Sequence, residues 1–218
     1  MQNAKCKIIT GIIFLYFCFQ KVNAQSIPFD FDKVFRAPFE GIVIHHTGTS
    51  KNITVEQLSN IHKWRIYKPV FDAMQDTVGD KIYSNHFYEG KETFCAYHWL
   101  VYSDGRKIQV LKDIIKIGDK WYIDNVGWHA GTWEMNGKTM AIAIVGNYRN
   151  SIPPKEVLNS VAEIIVSYQK MVETKLNIYG HREVRPTPTA CPGNKFLGEE
   201  GWKNILIKTV EEKIEREK

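Results

Sequence analysis

"GIVIHH" (41–46) runs from a glycine through three β-branched residues straight into a pair of histidines. An apolar run of this length suits a buried β-strand whose last residues stand at the edge of the sheet, where His45 and His46 become available for chemistry. "TMAIAIVGNY" (139–148) is a second continuously apolar strand, of the kind covered on both faces. Covering both faces requires helices, and the chain supplies three candidates. "TVEQLSNIHKW" (54–64) opens with Thr54 and has Gln57 three positions on, a capping box, with Val55, Leu58 and Ile61 at helical intervals. "PPKEVLNSVAEIIVSYQKMVETK" (153–175) begins with prolines at its first turn. It places Val157, Leu158, Val161, Ile164, Ile165, Tyr168, Met171 and Val172 at a 3.6-residue period. "GWKNILIKTVEEKIEREK" (201–218) predicts a last, partly amphipathic helix with a solvated charged face. "YHWLVYSDGRKIQVL" (97–111) predicts a hairpin turning at Asp104-Gly105. The expectation is an α/β (α+β) fold, a central mixed β-sheet flanked by helices.

The chain opens "MQNAKCKIITGIIFLYFCFQKVNAQ", with Lys5 and Lys7, an apolar run from Ile8 to Phe19, and Val22-Asn23-Ala24. A basic start, a short apolar stretch and small or aliphatic residues at −3 and −1 describe a secretory signal peptide over 1–24, cut after Ala24. A spanning helix needs about 20 apolar residues, more than this run offers. Cys18 lacks a small residue just before it, so no lipid anchor is expected. The expected product is exported, periplasmic or secreted, with no stable membrane anchor. It is a single domain over 25–218, since no repeat, low-complexity tract or long linker divides it.

Cleavage removes Lys5, Lys7 and Lys21 from 29 basic residues, leaving 26 against 24 acidic ones and a net charge of +2. That balance argues against a nucleic-acid partner. Cys6 and Cys18 leave as well, and Cys95 and Cys191 remain. Exported domains commonly pair their thiols, so a Cys95–Cys191 bridge is one reading. The other is that Cys191 has a separate use and Cys95 is a small buried hydrophobe on the face that Tyr97 shares.

That separate use is suggested by "GHREVRPTPTACPG" (180–193), where His181 and Cys191 share a loop with Pro186, Pro188 and Pro192. Imidazole and thiolate are suitable ligands for Zn²⁺, and three protein ligands with an open fourth position describe a catalytic site. The spacing matches no closed zinc-finger pattern, so the residues alone leave the metal reading open.

Four blocks, "IVIHHTGTS", "AYHWLVYSDGRKIQ", "GWHAGTW" followed by "TMAIAIVGNY", and "GHREVRPTPTACPG", occur in this order. In this the chain resembles the type-2 N-acetylmuramoyl-L-alanine amidases, whose fold is shared with the peptidoglycan recognition proteins. The similarity runs from about Gly41 to Trp202. The resemblance implies zinc as cofactor, held by His45, His181 and Cys191, with Tyr97 as the catalytic tyrosine and Thr189 as a hydrogen-bond donor near the cysteine. It implies a peptidoglycan or muropeptide substrate, cut at the amide between the lactyl group of N-acetylmuramic acid and L-alanine. A non-catalytic muramyl-peptide binding module of the same fold is the alternative, against which stands the presence of Cys191. A monomer is expected.

The chain departs from the family in two places. Some relatives carry a glutamate base in the apolar strand, whereas "AIAIVG" holds no acid, so no carboxylate base is assigned and Glu183 is read as a supporting or surface residue. The segment 65–94 is long for the family. Its aromatics Tyr67, Phe71, Tyr83, Phe87, Tyr88 and Phe94 either cap the core or line a groove. His46, Trp128 and His129 are candidates to contact substrate, each with an ordinary packing role as the alternative, and Trp133 shares the ambiguity of Trp128. His62, His86 and His98 are assigned no role.

Overall fold

The structure is a computed structural model, and it describes residues 30–73 and 81–217. The expected signal peptide and a few residues of the 65–94 segment lie outside them. Among the described residues, no helix is long and apolar enough to cross a membrane.

Five strands form the main sheet: β1 (Gly41–His46), β4 (Trp99–Val101), β5 (Lys107–Gln109), β8 (Thr139–Ile144) and β9 (Asn177–Gly180), in the order β5-β4-β8-β1-β9. The pairs β4–β8, β8–β1 and β1–β9 are parallel and β4–β5 is antiparallel, so the sheet is mixed as expected. Strand β1 lies inside the sheet, in register from Gly41 opposite Thr139 to His46 opposite Ile144. Its histidines therefore stand at the end of an internal strand.

Alternation divides the core into two layers. Ile42, Ile44, Met140, Ile142 and Ile144 face one side and pack under α5 (Lys155–Val172) and α7 (Trp202–Arg216). Ala141, Ala143 and Val145 face the other, against Val55 and Leu58 of α2 (Val55–His62) and against Cys95, Tyr97 and Leu100. The small alanines on this second face leave room beside the sheet for larger rings, and the candidate site is built there.

Helix α2 carries the expected capping box: the Thr54 hydroxyl accepts from Gln57 N (3.2 Å) and the Gln57 side chain accepts from Thr54 N (3.0 Å). The helix does not stop at Trp64. It continues through a π-helical segment (Lys63–Tyr67) into α3 (Lys68–Ala73), because Tyr67 and Phe71, one turn apart, bury themselves against Phe94 and Trp128. The prolines before α5 sit just outside it, with Pro154 as N-cap. Its periodic residues are buried up to Tyr168, whereas Met171 is 48% exposed where the helix overhangs the sheet. The hairpin at Asp104-Gly105 forms with Gly105 at φ +82°. Two further hairpins, β2 (Phe87–Tyr88) with β3 (Lys91–Glu92) and β6 (Ile114–Ile117) with β7 (Lys120–Ile123), are additions the sequence reading does not anticipate.

Near the chain start, α1 (Phe31–Phe35) docks on α4 (Trp133–Lys138) through Gly137, where a Cβ would lie 1.8 Å from the Phe35 carbonyl oxygen. Gly137→Ala is expected to force these elements apart and cost about 1–3 kcal/mol, read as a lower urea midpoint at unchanged slope. An unchanged midpoint would show that the contact yields freely.

Candidate metal centre

His45 belongs to the second face of the sheet and is completely buried. His181 starts α6 (His181–Val184), which follows β9 without a connecting loop. That abrupt join depends on Gly180, since a Cβ there would meet the Phe196 ring at 2.3 Å and Pro192 at 3.0 Å. The Glu183 carboxylate accepts from Gly180 N (2.7 Å) and pairs with Lys203 of α7 (2.8 Å), tying the start of α6 down. Arg182 then draws the proline-rich loop back: its backbone N–H donates to Cys191 O (2.9 Å) and its guanidinium to Gly193 O (3.2 Å). Thr189 Oγ1 accepts from Cys191 N (3.2 Å). The return brings Cys191 Sγ to 3.7 Å from His45 Nδ1, and the ligand atoms of His45, His181 and Cys191 lie within 4.8 Å of one another.

A tetrahedral zinc centre with bonds of about 2.0–2.3 Å separates neighbouring donors by roughly 3.3–3.8 Å. The His45–Cys191 distance already meets that, and the two imidazoles and one thiol are a fitting donor set. Burial, and then the neighbouring His181 and His129, hold the His45 pKa well below its ordinary value. Burial, then Arg185 and His46, lower that of His181 to about 4. Both rings are thus neutral and carry a lone pair for a cation. Burial pushes the Cys191 thiol up to about 12, against the opposing effects of the His46 backbone N–H and Arg185. A bound dication reverses that, because a coordinating thiol is deprotonated outright, and the His46 N–H at 3.3 Å from Sγ is placed to support the thiolate. Both Cys95 and Cys191 are free thiols, so the bridge reading does not hold. Cys95 is fully buried in the cluster that contains Tyr97.

Tyr97 stacks at a tilt on His45, with ring centroids 4.9 Å apart, and edge-on to His62 at 5.0 Å. Burial raises its pKa well above 10, with Cys191 and Cys95 adding to the effect, so the phenol keeps its proton and is a donor. The three remaining candidates are each engaged by a partner within the fold. His46 Nδ1 accepts from Tyr148 N (2.9 Å), which turns the ring toward the loop after β8. Trp128, only 5% exposed, lies parallel to Tyr67 with centroids 4.8 Å apart. His129, 3% exposed, lies behind His45: its Nδ1 is 3.2 Å from His45 Nε2 and its Nε2 is 3.2 Å from Thr139 O.

Both alternatives for the 65–94 aromatics are partly realised. Tyr67, Phe71 and Phe94 are core, whereas Phe87 is 65% exposed. A cavity of about 410 Å³ opens between Ile66, Val70, Trp128, Gly131 and Trp133, beside the His129 loop. Two residues near the site carry no sequence signal. Asn136 Oδ1 accepts from His129 N (3.1 Å) and Ala130 N (2.7 Å), fixing the loop, and His62 holds Ala96 through Nδ1 (3.0 Å) beneath Tyr97.

Residues 35–194 match the family described as N-acetylmuramoyl-L-alanine amidase. The chain belongs to this family. Among its relatives is a short-named peptidoglycan-recognition protein of Drosophila simulans, 26% identical over 165 residues, which are 74% of this chain and 72% of the relative. Peptidoglycan-recognition protein LB of Drosophila melanogaster is 30% identical over 76 residues, 34% of this chain and 31% of the relative's length. Among solved structures, the endolysin N-acetylmuramoyl-L-alanine amidase LysCS from Clostridium intestinale URNW superposes with a TM-score of 0.53 at 21% identity. The match covers 83% of this chain and 89% of that one. The amidase family's fold, a mixed sheet with helices on both faces, is the fold found here.

Proposed function

We propose that this chain is an exported, zinc-dependent N-acetylmuramoyl-L-alanine amidase that hydrolyses the amide between the lactyl group of N-acetylmuramic acid and L-alanine. The observation that carries the reading is the convergence of His45, His181 and Cys191 beside the Tyr97 ring. A zinc ion held by these three would supply Lewis acidity toward a carbonyl and lower the pKa of water near it.

The chain's own residues do the rest. Tyr97, kept protonated by burial, donates a hydrogen bond to the oxygen that gains charge as the amide is attacked, an interaction stronger in the transition state than in the substrate. Thr189 uses one lone pair on Cys191 N, and its hydroxyl proton remains for the same oxygen. The Arg182 contacts hold the cysteine loop against α6, so the donors need little reordering on binding. With no acid in the β8 strand, no carboxylate there takes the proton.

The deciding experiment is mass spectrometry of purified muropeptides after incubation with the zinc-loaded protein. Release of intact peptides beginning with L-alanine, with the glycan uncut, is expected. Muropeptides that bind but emerge unchanged would make the chain a recognition module, and shortened glycan would make it a different hydrolase. In the same assay Tyr97→Phe is expected to lower kcat by about 10²-fold with KM little changed, as for loss of one oxyanion donor.

A further inference from the structure

We propose that His129 is a positioning residue that fixes the tautomer and ring orientation of His45, in place of a substrate contact. The chain of contacts starts at the backbone of β8. The Thr139 carbonyl oxygen only accepts, so His129 Nε2, 3.2 Å away, carries the ring proton. In the neutral ring His129 Nδ1 is then an acceptor, and His45 Nε2, 3.2 Å from it, must donate. That leaves His45 Nδ1 with its lone pair, and Nδ1 is the atom 3.7 Å from Cys191 Sγ. Two hydrogen bonds in series thus carry a preference from the sheet backbone to the nitrogen that faces the cysteine.

The arrangement is held from several directions. The two rings stand nearly perpendicular, at 89° with centroids 5.2 Å apart, so His129 meets His45 as a hydrogen-bond partner and not as a stacked neighbour. Asn136 accepts from the backbone N–H groups of both His129 and Ala130. Gly127 allows the loop to close, since a Cβ there would be 2.3 Å from Ala96 O. With His129 only 3% exposed and His45 fully buried, neither water nor substrate competes for the bond. Removing the His129 acceptor would leave a buried His45 N–H without a partner, a cost the ring relieves by flipping or by shifting its proton to Nδ1. Either response turns a protonated nitrogen toward Cys191.

The inference shares the zinc reading for its affinity arm, and nitrogen spectra of the metal-free protein test it independently. Those spectra are expected to show wild-type His45 as the Nε2–H tautomer and His129→Leu as a mixture or the Nδ1–H form. By competition with a chromophoric chelator, His129→Leu is expected to bind zinc about 10–100-fold more weakly. His129→Asn, whose Oδ1 takes the place of Nδ1, should recover most of the affinity and the wild-type spectrum. A purely packing role would not separate the Asn and Leu variants in this way. Should His129→Leu fail to fold, the wild-type and Asn spectra decide. His45 protonated on Nδ1 in the wild-type protein, or zinc affinity within about twofold of wild type in a folded His129→Leu, would overturn the inference. A wild-type protein with the Nε2–H tautomer and no zinc affinity would overturn the metal reading and leave this one standing.

Discussion

Cys191→Ser is expected to abolish zinc retention on gel filtration and lower muropeptide turnover by about 10³-fold or more, the rate equivalent of several kcal/mol of lost charge stabilisation. Serine replaces a soft thiolate by a neutral hydroxyl that binds zinc poorly, yet it fills nearly the same volume. It can still accept the His46 N–H that now points at Sγ, so the melting temperature of the metal-free protein should move little. Cys95→Ser supplies the contrast. Cys95 is wholly buried among Tyr97, Leu100 and Ala141, and placing a hydroxyl there should cost stability of about 1–3 kcal/mol while zinc content stays at wild-type level. Zinc content, melting temperature and turnover measured for both variants separate the two roles. Full zinc retention in Cys191→Ser would remove the thiol from the ligand set.

The second large effect expected is acid lability of the metal-free protein. Burial, with Arg65 adding to it, lowers the His62 pKa to about 3, and burial lowers that of His98 to about 4. The local reason is visible at each ring. His62 Nδ1 accepts from Ala96 N (3.0 Å), and His98 Nδ1 accepts from Ala141 N (3.0 Å) while its Nε2 meets Asn125 O (2.8 Å). A proton on either Nδ1 would face a backbone N–H. In the unfolded chain both rings titrate near about 6.5, so as pH falls below that value the unfolded state takes up protons that the fold refuses. The stability these histidines contribute is fully present above about pH 6.5 and is lost progressively toward about pH 4 and below. Each contributes a slope of up to about 1.4 kcal/mol per pH unit in that window. Urea unfolding followed from neutral pH down to about pH 4.5 should show a steep fall of the midpoint, and His98→Asn, which keeps an acceptor for Ala141 N without a titrating ring, should flatten the curve. A midpoint constant from about pH 7 to about pH 5 would mean that these rings accept protons inside the fold.

Much of this protein was legible from residue order alone. The 3.6-residue period of the long helix and the unbroken apolar strands report burial directly, because a helix face or a doubly covered strand repeats its environment at a fixed interval. The Thr54–Gln57 cap was legible for the same reason, its partners being three positions apart. The metal candidates were legible by chemical type and by the order of four blocks, which identify residues without saying how far apart they stand.

What needed the tertiary structure is what joins distant segments. Helix α2 continues past Trp64 because Tyr67 and Phe71 find Phe94 and Trp128, neither of which is near them in the chain. Residues His46, Trp128 and His129 read from sequence as candidates to meet substrate, and the fold gives each an interior partner: Tyr148 N, the Tyr67 ring and the His45 ring. His62 and Asn136 were invisible as parts of the site because their partners, Ala96 and the His129–Ala130 backbone, are brought to them by packing. A single sequence carries periodicity and chemical identity. Which ring nitrogen meets which neighbour is settled only when sheet register places His45 beside Ala143 and Thr139 within reach of His129, since hydrogen bonds act over about 3 Å and the segments that make them lie far apart along the chain.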